Sequence, residues 1–134
     1  SFLLNFTWEI SQMPFYQFEG LGAVDNYLVF LKNHWLVSAK DALIVLALYL
    51  ITGILIRNLS WGRRMVGPRL TIFWVLGALW AIVIEYQALD VGRWAYVETM
   101  PILPVLEVGL LPVLQMIIVP TLAVLITRKH LDAK

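Results

Sequence analysis

Three stretches of this chain are so long and so apolar that no soluble fold of its size could bury them. Leu36–Ile56 runs for 21 residues with charges only at Lys40 and Asp41. Leu70–Leu89 runs for 20 with Glu85 as its one charge, and Ile102–Ile126 for 25 with Glu107 as its one charge. A helix needs roughly 20 apolar residues to cross a hydrocarbon core about 30 Å thick. Composition agrees, with 60% of the 134 residues hydrophobic and 14% charged; a soluble domain has about 25% charged. A chain this short buries only about 70% of its unfolded surface, so the apolar excess must face lipid. A fourth stretch, Ser1–Tyr16, is apolar but short and holds Glu9 and Gln12. It is expected to be the visible end of a span that begins upstream. A cleaved signal peptide, the rival reading, would carry a basic flank and no mid-segment Glu.

Charge placement orients these spans, because Lys and Arg concentrate on the cytoplasmic side. The 57–69 connection holds Arg57, Arg63, Arg64 and Arg69 and no acid, and the C-terminal tail holds Arg128, Lys129 and Lys134 against Asp132. The other connections, 17–35 and 90–101, hold Glu19, Asp25, Asp90 and Glu98 against Lys32 and Arg93. With four spans, the two basic segments fall on one side. The expected architecture is therefore one all-α transmembrane domain over 1–134, a four-helix up-down-up-down bundle with both termini inside. Its spans are about 1–16, 36–56, 70–89 and 102–126, and 17–35 has room for a short interfacial helix. Trp8, Trp35, Trp61, Trp94, Tyr16, Tyr27 and Tyr96 lie near span ends, where amphipathic rings favour the interface. Gly62, Gly67 and Pro68 punctuate the inner turn. Pro104, Pro112 and Pro120 recur every eight residues, which predicts either a curved last helix or a broken one with freed carbonyls.

The acids share a depth. At 1.5 Å per residue, Glu9 lies about 10 Å inside Tyr16, Asp41 about 8 Å inside Leu36, Glu85 about 6 Å inside Leu89 and Glu107 about 8 Å inside Ile102. Each span thus places one carboxylate in the outer half of the bilayer. Asn5, Glu9, Gln12 and Tyr16 form one helical stripe, His34, Ser38 and Asp41 a second, and Glu107 lies two turns from Gln115 on roughly one face. A charge facing lipid costs about 2.5–3.5 kcal/mol, so these groups are expected to point at one another or into a pocket. Crowded carboxylates and one imidazole supply proton donors and acceptors, or ligands for a hard or borderline cation. Glu85 and Glu9 are the candidate acid and base, with His34 and Asp41 tuning them. Gln12, Tyr16, Tyr86, Glu107 and Gln115 are the candidate ligand contacts. Each has an ordinary alternative. Glu9 and Gln12 could only join two helices, Asp41 could pair with Lys40, His34 could sit wet at the interface, and Arg93 could pair with Asp90 or Glu98.

Several chemistries are excluded. The absence of cysteine removes disulfides, zinc ribbons, iron–sulfur clusters and thiolate nucleophiles. A net charge of +1 offers no basic surface for nucleic acid. The two histidines, His34 and His130, fall on opposite faces, so no bis-histidine haem is expected. There is no Glu-x-x-His pair, no nucleotide-binding or zinc-protease motif, no nucleophile elbow and no inverted repeat.

Taken in order, Trp8-Glu9-x-x-Gln12-x-Pro14-x-Tyr16, His34 with Asp41-Ala42, Glu85-x-x-Ala88, Gly92-Arg93-Trp94-x-Tyr96, Met100-Pro101-x-x-Pro104 and Gly109-Leu110-x-Pro112-x-x-Gln115 resemble a family of small four-span bacterial inner-membrane proteins. The resemblance covers nearly the whole chain. It implies the fold and a bacterial inner membrane, and no activity. Two functions fit these observations. One is binding of, or acid–base chemistry on, a small lipid-soluble ligand. The other is a non-catalytic subunit of a larger membrane complex, redox or photosynthetic, or a homo-oligomer. The subunit reading expects a free face of small residues, such as Gly77, Ala78 and Ala81, for the partner.

Overall fold

The computed structural model describes residues 1–17 and 27–132, of which 27–33 by backbone alone. Among them are four helices, α1 (Phe2–Gln12), α2 (Tyr27–Leu55), α3 (Gly67–Asp90) and α4 (Leu110–Asp132). The last three have 29, 24 and 23 residues, so each is longer than about 30 Å. All three are long and apolar enough to cross a membrane. With 11 residues, α1 covers about half that distance. The helices close a ring in which α1 packs on α2 and α4, α2 on α3, and α3 on α4. Outward faces carry exposed apolar side chains such as Leu43, Leu46, Ile54, Leu79 and Val83. Part of the helix expected across 17–35 is the start of α2; the remainder, 18–26, lies outside the described residues.

The last span starts eight residues later than the apolar pattern implies. Ile102–Leu103 (β3) pairs antiparallel with Val108–Gly109 (β4) in a tight hairpin, and α4 begins only at Leu110. Proline explains the shift. Pro101 and Pro104 lack an N–H and push the preceding residue out of helical conformation. Val105 and Glu107 then take left-handed backbone angles, φ 74° and 55°, which turn the chain back. Of the three evenly spaced prolines, only Pro120 lies deep in a helix. Pro112 sits in the first turn of α4, where its missing donor has no intrahelical partner to lose.

A second ladder pairs Tyr16–Gln17 (β1), just after α1, with Ala95–Tyr96 (β2), just after α3, placing Tyr16 opposite Tyr96. Neither ladder belongs to the all-α expectation, and both shape the site. The second depends on how α3 ends. Gly92 adopts φ 64° and the Arg93 N–H reaches back to Ala88 O at 2.9 Å, a glycine stop that reverses the chain.

Packing divides into two clusters. One gathers Ala81, Val108, Val113 and Met116 between α3, α4 and the hairpin. The other gathers Leu48, Trp61 and Phe73 where α2 turns into α3. Trp61 is 0% exposed, which corrects its expected place at an interface. Its ring stacks on Tyr49, meets Phe73 edge-on, each at 5.0 Å between centroids, and donates to Tyr49 O at 3.1 Å. Helices α3 and α4 touch backbone to backbone at Gly77, where a Cβ would lie 2.3 Å from Met116 O. Ala81 is buried in the same contact. The small residues of α3 therefore serve this internal packing, and the free small-residue face expected of a subunit is not on α3.

Candidate functional site

Polar side chains gather at the end of the bundle away from the α2–α3 turn. Asn5, Gln12, His34, Ser38, Glu85 and Gln115 are all buried there. The stripe on α1 faces α4, and Gln115 is the group it meets. Gln115 Nε2 donates to Glu9 Oε1 at 3.0 Å, to Asp41 Oδ2 at 3.1 Å and to Asn5 Oδ1 at 3.3 Å. Its Oε1 accepts from Gln12 Nε2 at 3.2 Å. Gln12 also donates to Glu9 and accepts from Trp8 Nε1. One amide with two protons thus faces three acceptors, so it can serve only two at a time. The Asp41 and Glu9 carboxyls also lie within hydrogen-bonding reach of each other. Among the described residues, Asn5 Nδ2 is a buried side-chain nitrogen without a partner.

Glu85 stands on α3, 4% exposed, and receives its partners from the chain that the Gly92 stop returns. Trp94 Nε1 donates to Glu85 Oε2 at 3.3 Å, and the Tyr96 hydroxyl makes a short hydrogen bond to the same oxygen. Tyr96 is held in turn by the Gly109 N–H at 2.9 Å, which fixes its proton toward Glu85. Tyr16, opposite Tyr96 in the ladder, also reaches the carboxyl and packs edge-on against Trp94 and Tyr96. Burial, and then the bond to Glu85, pushes the Tyr96 hydroxyl above the ordinary tyrosine pKa, so it remains a donor at neutral pH.

Between these two groups lies a cavity of about 440 Å³. Glu9, Gln12, Tyr16, Asp41, Glu85 and Gln115 line it, together with His34 and Lys40 from α2 and Arg93 beyond α3. Its other walls are apolar and aromatic, including Ile44, Trp80, Trp94 and Met116. Glu107 is elsewhere. It sits exposed in the hairpin turn, because the helix that would have buried it begins three residues later. Tyr86 is also off the cavity wall; it is exposed and its hydroxyl bonds Leu106 O, bracing the hairpin. Three of the four carboxylates expected at one depth therefore line one cavity, Glu85 across from Glu9 and Asp41, and the fourth does not. The described residues include no group of three His, Asp or Glu side chains placed to hold a metal ion.

Trp94 and Tyr96, expected at the membrane interface, are instead the partners of Glu85. Their spacing of two puts both side chains on one side of an extended strand, ten residues or so beyond Glu85, and that spacing was the available signal. Compared with protein-family models, with curated proteins and with solved structures, the chain has no match, so its functional reading stands on this geometry.

Proposed function

We propose that the chain is a multi-pass protein of a bacterial inner membrane, with the 57–69 turn and the C-terminus on the cytoplasmic side. In this reading the cavity receives a small lipid-soluble ligand and exchanges protons with it. One observation carries the proposal: polar side chains from all four helices face a single cavity whose remaining walls are apolar. Its volume falls within the roughly 300–1,000 Å³ of small-molecule sites. Burying carboxyl groups beside lipid is costly, and a two-helix brace would need fewer of them. Glu85, fixed by Tyr96 and Trp94, is the acid or base of one wall. The Glu9–Asp41 pair with Gln115 is the proton reservoir of the other. Double-bond isomerisation or hydration of an isoprenoid-like molecule needs only such proton transfers. The accessory-subunit alternative is less well supported, because Gly77 and Ala81 already pack on α4.

The test is solvent extraction of protein purified in mild detergent, followed by mass spectrometry, for the native chain and for Glu85→Gln. The expected result is a stoichiometric apolar molecule in the native chain and its loss, by about tenfold or more, from a variant with unchanged thermal unfolding. Equal contents of bulk lipid in both proteins, together with a stoichiometric partner in the native particle, would replace this reading with the subunit one.

A further inference from the structure

The opposite end of the bundle holds a second concavity, of about 260 Å³, lined by Asn58, Ser60, Arg63, Arg64 and Arg69. Three features distinguish it from an ordinary basic loop. The first is uncompensated charge. Residues 57–69 hold four arginines and no acid, and among the described residues the ion pair formed is Arg128 with Asp132, elsewhere on α4.

The second feature is rigidity. Helix α2 ends at Leu55; Arg57, just beyond it, is in left-handed conformation at φ 52°, and the Asn58 N–H bonds Gly53 O at 2.8 Å. Asn58 Oδ1 then accepts from the Ser60 N–H at 2.9 Å. The Tyr49 hydroxyl holds Leu59 O, and buried Trp61 anchors the centre of the turn. Gly62 packs so closely on Tyr49 and Val124 that a Cβ would lie 2.9 and 3.0 Å from their side chains. The guanidinium groups are thus carried on a fixed backbone, which lowers the entropy cost of gathering them round one anion.

The third feature is what flanks the arginines. Leu55, Leu59 and Val66 are large, apolar and exposed on the same turn. A free anion would gain nothing from them, whereas the acyl chains of a lipid would cover them.

We propose that this concavity is a recognition site for a phosphate group, supplied by the headgroup of an anionic membrane lipid. Planar guanidinium forks match phosphate oxygens two at a time, and basic pockets at helix ends suit such headgroups. Asn58 Nδ2 and the Ser60 hydroxyl add neutral donors. The site is independent of the cavity at the other end and of any chemistry there.

The experiment titrates the full chain in detergent with dioleoylphosphatidylglycerol, with dioleoylphosphatidylcholine and with inorganic phosphate, reading bound adducts by native mass spectrometry. Phosphatidylglycerol is expected to be retained and phosphatidylcholine not. Arg64→Ala should weaken retention roughly fivefold, and Arg63→Ala, Arg64→Ala and Arg69→Ala together on the order of a hundredfold. Arg128→Ala, equally basic but outside the concavity, should change nothing. A triple lysine variant, which keeps charge and loses the forks, should fall between, and it provides the readout if the triple alanine protein does not fold. Inorganic phosphate binding as tightly as the lipid would keep the phosphate site and assign its ligand to solution. Equal retention of the two lipids, or native retention by either triple variant, would overturn the proposal.

Discussion

The two ends of this bundle solve the problem of a helix junction in opposite ways. At the α2–α3 turn the space between helices is filled by Trp61, Tyr49, Phe73 and Leu48, and the polar side chains buried there bond to backbone carbonyls. Thr52 Oγ1, for example, donates to Leu48 O at 2.8 Å. At the other end the same volume holds carboxyls and amides bonded between helices, around a cavity of about 440 Å³. Gln115 alone ties α4 to Asn5 and Glu9 of α1 and to Asp41 of α2. One end is held by shape and the other by hydrogen bonds whose removal leaves partners stranded. A bundle that needed only stability would use the first solution twice.

If that contrast is right, the largest loss of stability comes from the solid end. Trp61→Ala empties a fully enclosed site and should cost about 3–5 kcal/mol, read as a lowered unfolding midpoint in detergent. Ligand content of the fraction that remains folded should not change. A Trp61→Ala protein that stays folded yet loses the proposed apolar ligand would show that the two ends are coupled, and the comparison would break.

The next largest effect separates polar groups satisfied locally from those satisfied across helices. Gln115→Leu leaves the Glu9 and Asp41 oxygens and the Gln12 amide short of a partner in a buried place, at a cost of about 1–3 kcal/mol. Thr52→Ala removes a hydroxyl whose partner among the described residues is a helix carbonyl already bonded in the ladder, and should cost at most about 0.5–1 kcal/mol. Thermal unfolding of the two variants side by side measures the difference. Equal losses would mean that the network at the cavity end is no more exacting than an ordinary helix hydroxyl.

The same division explains what the sequence disclosed. Helices α2 and α3 were legible because hydropathy over 20 residues is a local property, and the stripe of Asn5, Glu9 and Gln12 was legible because helical spacing fixes a face. That Glu9, Asp41 and Glu85 should face one interior space was expected from the cost of exposing charge to lipid, and all three line the cavity. What stayed hidden lay in backbone demands and in long-range packing. The hairpin at 102–109 is as apolar as a span, so hydropathy could not distinguish them, and the signal lay in the backbone demands of Pro101 and Pro104. Trp61 resembles an interfacial tryptophan until α2, α3 and α4 are seen to close over it. The spacing of Trp94 and Tyr96 puts them on one side of an extended segment, but the placement of Tyr96 against Glu85 depends on a strand pairing with residues 16–17, a contact between distant parts of the chain that no window reveals.

The smallest expected effect lies on that hairpin and runs in the opposite direction. Val105 is a β-branched residue at φ 74°, in a region that L side chains with branched Cβ atoms rarely enter. It is 97% exposed, so no packing offsets the strain, which for a non-glycine residue is on the order of 1–3 kcal/mol. Val105→Gly removes the strain but adds unfolded-state entropy worth about 0.5–1 kcal/mol. The net expectation is a gain of about 1 kcal/mol in detergent, with content of the proposed ligand unchanged, because Tyr86 and the Ile102–Gly109 ladder still hold the hairpin against α3. A loss of stability in place of the gain would mean that the valine side chain has a partner in the membrane or in another protein. The cavity end would then be completed from outside the chain, and its contrast with the self-sufficient Trp61 end would be sharper still.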